Sequence, residues 1–279
     1  MQLFHLIQEI DRLVPAAYAE SWDPVGFQIG DPTREIGSAL LALDLTPRVI
    51  QNAIQVKADL IICHHPPIFE PVTALREDRP HEALLRAMIR SGLSLLALHT
   101  SLDAVPGGVA DQMAILMDLA SVETLAPLEA ARMRGVNITD NPWSRRFSAV
   151  PGFGRTGLLR QSLSLSTLVK DLRLKLATPN LLIAAEKDQP VSRVAVCPGS
   201  FDGEWVPLLS DKRCDLLVCG EIKHHVQLAL TQAGITVIIA GHDVSERIVL
   251  EPLADLLRWR FPEIAFAVCP PFDYNRMAF

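Results

Sequence analysis

Asp59-Leu60-Ile61-Ile62-Cys63-His64-His65-Pro66-Pro67 sets an apolar run ahead of two adjacent histidines and two prolines. A short apolar run bounded by breakers is the pattern of a buried strand. The prolines end it, because neither can donate to a sheet ladder. His64 and His65 therefore fall at the carboxyl end of a strand, where open α/β sheets gather their ligands. Neighbouring side chains on a strand point to opposite faces. The two imidazoles can converge only past the strand's end, where the chain is free to turn. A single histidine there would be read as structural; a pair asks what the rest of the chain supplies.

Working outward, Ser38–Leu45 is predicted as the preceding strand. Thr46-Pro47 then gives a helix cap with proline at the first helical position, and the helix runs to about Val56. A helix over 80–91 follows, then the apolar run Leu93–Leu98, which ends in His99-Thr100-Ser101-Leu102-Asp103-Ala104. Gly107–Leu119 reads as a helix. Residues 1–14 have helical apolar spacing ended by Pro15, and Ala19–Gly30 reads as an ordered loop or short strand. The stretch 121–190 is less regular. Pro151-Gly152-Phe153-Gly154-Arg155-Thr156-Gly157 lacks the spacing and lysine of a phosphate loop, so it is read as a hairpin or turn. Ser166–Leu176 is predicted as a helix capped by Ser166 or Thr167, and Leu181–Ala185 as a strand.

The pattern then recurs. Val191–Cys197 is a strand, and Cys214-Asp215-Leu216-Leu217-Val218-Cys219-Gly220-Glu221-Ile222-Lys223-His224-His225 echoes the opening stretch. Ala233–His242 echoes Ser91–His99 in the same way. The expectation is an α/β protein made of two similar domains, an internal duplication, with limits 1–125 and 126–279. Polar tips at equivalent strand ends suggest one site shared between the halves.

Length and composition agree with two globular domains. Of 279 residues, 49% are hydrophobic and 21% charged, and the net charge of −6 gives no nucleic-acid footprint. No run approaches the roughly 18 apolar residues of a membrane helix. The first residues, MQLFHLIQEIDRLVP, carry charges and no uninterrupted apolar core, so they are not read as a secretion signal. Five cysteines, with no CxxC, fit reduced buried thiols in a cytoplasmic protein.

The polar residues expected at strand ends are His64, His65, Asp103, Glu221, His224, His225, His242 and Glu246. Three imidazoles and two carboxylates from this set would hold one or two first-row divalent ions. His242 and Glu246 share a face if a helix begins near 243, although Pro252 would kink that helix unless its first turn is separate. By itself His-x3-Glu is usually a surface pair, and Asp103 is usually a cap. Their shared placement at strand ends is what argues for a site.

The chain resembles the NIF3-like (DUF34) family, whose members are often named type 2 GTP cyclohydrolase I homologues. The matching motifs are Ser21-Trp22-Asp23-Pro24-Val25-Gly26, His64-His65-Pro66, His99–Ala104, Gly220–His225 and Gly241-His242-Asp243-Val244-Ser245-Glu246. The resemblance implies two α/β domains, a dinuclear metal centre between them, and a ring-shaped homohexamer. It places the metal ligands on His64, His65, Asp103, His242 and Glu246. Zinc, iron, manganese, cobalt and nickel all suit such a set. The chain has the family's short form, without the long central insertion. Ser101 stands where the family usually has Asn, and Asp243 where an aromatic is common; both adjoin expected ligands.

Two ions suit hydrolysis. The first reading is a metal-dependent hydrolase acting on a nucleotide-like or other phosphorylated small molecule, with Glu221, His224 and His225 as substrate contacts or proton-transfer groups. The others are a metal-binding or metal-delivery protein without turnover, and a protein-interaction scaffold with structural metals. Nothing in these residues selects GTP.

Overall fold

The computed structural model describes residues 1–136, 141–147 and 150–271. The chain divides into two units. The first takes residues 1–10, 23–99 and the chain from Leu253 onward; the second takes 11–22 and 100–252. In chain order the first elements are α1 (Leu3–Leu13), β1 (Gly26–Ile29), β2 (Ser38–Ala42), α2 (Pro47–Gln55), β3 (Leu60–Cys63), α3 (Pro80–Arg90) and β4 (Ser94–Ala97). Next come α4 (His99–Ala104), α5 (Val109–Leu116), β5 (Ala120–Pro127), α6 (Pro142–Arg146), β6 (Gly152–Ser164), α7 (Leu165–Lys175), β7 (Leu182–Ala184) and β8 (Pro190–Ser200). The last are α8 (Val206–Asp211), β9 (Leu216–Glu221), α9 (His224–Gln232), β10 (Thr236–Ile239), α10 (His242–Glu246), α11 (Leu250–Arg260) and β11 (Ala265–Val268). No helix among the described residues is long and apolar enough to cross a membrane.

In the first unit the strand order is β1-β4-β3-β2-β11. β11, β2, β3 and β4 run parallel, and β1 closes the β4 edge antiparallel. Thr46 caps α2 as expected, its hydroxyl accepting the Val49 N–H at 3.2 Å with Pro47 at the first helical position. All four β3 side chains are buried. Ile61 and Cys63 pack with Val49, Ile50 and Ala53 of α2 and Met88 of α3. A parallel strand covered on both faces shows an unbroken apolar run with no alternation, which is why 60–63 could be read directly.

In the second unit the order is β5-β6-β8-β9-β10-β7, with β8, β9 and β10 parallel and the remaining pairings antiparallel. Val194, Val196, Leu216, Val218 and Ile238 pack with Met113 of α5 and Leu168 and Leu172 of α7. The alternate residues Ala195, Cys197, Leu217, Cys219 and Val237 pack with Leu209 of α8 and Val226 and Leu230 of α9. A fully buried Arg155 holds Asp111 through two hydrogen bonds of 2.9 and 2.8 Å, and Asp111 also accepts the Gly107 N–H at 2.7 Å. This pair fixes the turn that follows α4.

The echoed segments take corresponding places. β3 lies between β2 and β4, and β9 between β8 and β10, all parallel; Leu60 pairs with Ser94 as Leu216 pairs with Thr236. The backbone alignment places His99 opposite Gly241, so His242 falls one residue later than the sequence echo suggests. His99 N–H donates to His64 O at 2.8 Å, and Gly241 N–H donates to Gly220 O at 3.0 Å.

Several expectations need correction. The units do not divide at 125/126. β5 begins at Ala120 inside the second sheet, and β11 pairs with β2 in the first. A strand's partner is a long-range choice that a local pattern cannot encode. Pro151–Gly157 is no turn: Gly152 onward is β6. Its glycines allow close approach, since a Cβ on Gly154 would lie 2.7 Å from Cys197 Sγ. The cap of α7 is Ser164, whose hydroxyl accepts from Thr167 N–H at 3.3 Å, and α5 is shorter than 107–119. After β10 the helix breaks into α10 and α11, so Pro252 sits in the first turn of α11, where it is tolerated. All five cysteines are free and buried, as expected.

Candidate metal centre

Three adjacent parallel strands of the first unit end in chemistry. Asp44 follows β2, His64 and His65 follow β3, and His99 follows β4. The three imidazoles form a compact group, with ring centroids 4.8 Å apart for His64 and His65 and 5.4 Å for each to His99. One ligand nitrogen from each lies within 4.8 Å of the others. His64 is 1% exposed.

Two of these rings have a carboxylate oxygen beside the same atom. His65 Nδ1 lies 2.7 Å from Asp44 Oδ1, and His99 Nδ1 lies 2.9 Å from Asp23 Oδ1. The His65 contact is a hydrogen bond; a carboxylate accepts only, so there Nδ1 carries the proton and the neutral ring has its lone pair on Nε2. That is how metal-ligating histidines are oriented. Nitrogens this close can share one ion, or divide between two ions about 3.5–4 Å apart.

In the second unit, α10 carries His242 and Glu246 one turn apart. His242 Nε2 is 3.1 Å from Glu246 Oε1, and His242 Nδ1 is 3.2 Å from Glu221 Oε1. A neutral imidazole donates through one nitrogen only, so a proton or a cation has to lie along the other contact. The Glu246 side chain is 5% exposed, and a carboxylate so buried is kept charged by donors or cations. The backbone is shaped to admit it. A Cβ on Gly199, which has φ +70°, would fall on Glu246 Oε1. Ser245 docks the helix, accepting from Gly199 N–H at 3.0 Å and donating to His242 O at 2.9 Å. Both donor sets fit divalent cations.

Of the expected residues, His64 and His65 lie together, as do His242, Glu246 and Glu221. Asp103 is half-buried on α4, one turn after His99. His224 and His225 are exposed at the start of α9, and neither belongs to a metal-capable group among the described residues. Asp243 pairs with Arg247 at 2.8 Å, and Ser101 is buried. Sequence reasoning missed His99 as a metal-capable residue, although it stood at the end of a predicted strand inside a quoted motif. It also missed Asp23 and Asp44, whose partners lie far along the chain.

The profile of the family described as Duf34/NIF3 (NGG1p interacting factor 3) matches residues 1–270. NIF3-like protein 1 of Drosophila melanogaster is 30% identical over 261 residues, covering 92% of this chain and 82% of that protein. A GTP cyclohydrolase 1 type 2 homolog of Lactococcus lactis is 29% identical over 261 residues, covering 92% of each. The crystal structure of the Staphylococcus aureus protein SA1388 has a TM-score of 0.86 at 27% identity, covering 100% of this chain and 99% of that one.

Proposed function

The chain belongs to the Duf34/NIF3 family, and from that premise we propose that it is a dinuclear metal-dependent hydrolase acting on a nucleotide-like or other phosphorylated small molecule. The observation that carries the reading is the group of three imidazoles, His64, His65 and His99, with His65 hydrogen-bonded to Asp44. A structural histidine has no need of neighbours turned to one side in this way. In this reading His64, His65, Asp103, His242 and Glu246 hold two divalent ions, with His99 as a further ligand. When bound, the ions would supply Lewis-acid activation of a water and of the electrophilic oxygen.

The chain's own groups do the rest. Asp44 keeps the proton on Nδ1 of His65 and so keeps its Nε2 available. Glu221, an exposed carboxylate beside His242 Nδ1, is placed to accept or return a proton. His224 and His225, at the solvent-facing start of α9, contact the substrate. The name of the Lactococcus relative brings purine nucleotides into the trial set. We also propose a closed homohexamer in the cytoplasm. The test is turnover by metal-reconstituted protein on nucleotides, phosphoesters and cyclic amides. Metal-dependent turnover lost in Glu221→Gln supports the hydrolase. A fully loaded protein with no turnover on any class would move the assignment to metal binding or delivery.

A further inference from the structure

Aromatic rings gather at the carboxyl end of β8. Phe153 and Trp205 are stacked, with centroids 5.9 Å apart and planes 16° from parallel. Phe201 meets Trp205 edge-on, with centroids 6.0 Å apart and an interplanar angle of 84°. Phe201 is buried and belongs to the core under α8 and α9. Phe153 and Trp205 are half-buried, so each keeps part of its ring in solvent. Large aromatic rings carry much apolar area, and a pair left partly open is a surface that another flat ring can cover.

Both rings sit on fixed backbone. Phe153 is in β6, paired with Ala126 of β5. Arg155 lies opposite Val196, so Phe153 falls level with the end of β8. Trp205 closes a single 3-10 turn, Gly203–Trp205, and Asp202 caps that turn by accepting the Glu204 N–H at 3.0 Å. Gly203 lets the turn lie close against α9, since a Cβ there would be 2.9 Å from Val226 Cγ2. Val226 directly follows His224 and His225, the proposed substrate contacts. Ser200 pairs with Glu221, and Phe201 N–H donates to Glu221 O at 3.0 Å. The ring pair therefore shares one end of the second sheet with Glu221, His224 and His225.

We propose that Trp205 and Phe153 form a stacking subsite for the planar heteroaromatic base of a nucleotide. Every base has a π-face, so an aromatic platform accepts such rings whatever their substituents. Glu204, next to Trp205 in the turn, is exposed and offers an acceptor for the N–H groups of a base. The inference deepens the proposed function and rests on its nucleotide-like substrate. Base binding is measured without turnover, so the two can fail separately.

The test is binding of guanosine, adenosine and ribose 5-phosphate to the full chain, by calorimetry and by tryptophan fluorescence. Both nucleosides should bind saturably and quench the fluorescence, and ribose 5-phosphate should leave it unchanged. Trp205→Leu should weaken guanosine by about 5–100-fold, the range for losing one base–aromatic stack. Trp205→Phe keeps a ring and should restore most of that affinity. Trp205 is one of four tryptophans, so the quench is assigned to it by its loss in Trp205→Phe. A parent chain that binds neither nucleoside overturns the subsite, and this arm needs no variant to fold. So does guanosine binding that Trp205→Leu leaves unchanged. Phosphoester turnover by a chain that binds no nucleoside overturns the subsite and leaves the hydrolase standing. Nucleosides bound through Trp205 without turnover of any nucleotide uphold the subsite and overturn the hydrolase instead.

Discussion

Asp59 and Asp215 do the same task at the same position in two different sheets. Asp59 Oδ2 accepts the N–H groups of Gly37 and Ser38, both at 3.0 Å, where β2 begins. Asp215 Oδ2 accepts those of Ser192 and Arg193, both at 2.8 Å, inside β8. Each carboxylate locks the register of the strand ahead of its own. Charge-assisted bonds of this kind contribute about 1.5–3 kcal/mol. Asp59→Ala and Asp215→Ala should therefore each lower stability by about 2 kcal/mol in urea unfolding while leaving metal content unchanged. Loss of metal at full stability would show that these residues serve the site and not the sheet.

Gly199 should tolerate nothing larger. Its φ of +70° costs an alanine about 1–2 kcal/mol, and the added methyl falls on Glu246 Oε1. Gly199→Ala should shift the melt modestly and lower the affinity of one ion, read by isothermal titration with Zn2+. A variant with unchanged affinity would remove Glu246 from the site.

The buried thiols make stability fall at high pH. Burial pushes the Cys214 thiol up to about 11 and the Cys219 thiol up to about 12, from an ordinary 9.0. The unfolded chain therefore loses these protons first. Stability from keeping them neutral is full below pH 9.0 and is lost as pH rises through about 11 and 12. Urea midpoints at about pH 8 and about pH 10.5 should show the drop, with a shallower drop in Cys214→Ala/Cys219→Ala. Parallel curves would contradict it.

Much of the fold was legible because parallel strands advertise themselves. Leu60–Cys63 and Leu216–Cys219 are apolar without interruption, and Thr46-Pro47 names its own helix start. What stayed hidden was pairing over distance. β11 is a short apolar run like others, and nothing local sends it to β2. β6 was mistaken for a turn because glycines that permit close strand packing look like glycines that permit bends. At the site, the ligand types were readable from strand ends. The carboxylates beside them were not, since His99 and Asp23 are brought together by the β1–β4 register.

The proposed assembly makes a direct prediction. Multi-angle light scattering of the purified chain at micromolar concentration should return the mass of a hexamer, a closed form of the kind soluble homo-oligomers favour. A monomer would refute it.

The central claim is the proposed one, that His64, His65, Asp103, His242 and Glu246 are metal ligands on a fold that does not need the metal. At 279 residues the chain buries enough apolar surface to fold without metal, unlike small zinc domains. The most direct measurement is metal content by mass spectrometry, alongside a thermal melt, for the parent chain, His64→Ala and Glu246→Ala after reconstitution. The account predicts two ions per parent chain, fewer in each variant, and cooperative melting throughout. A parent chain that takes up no metal, or variants that keep both ions, would contradict it.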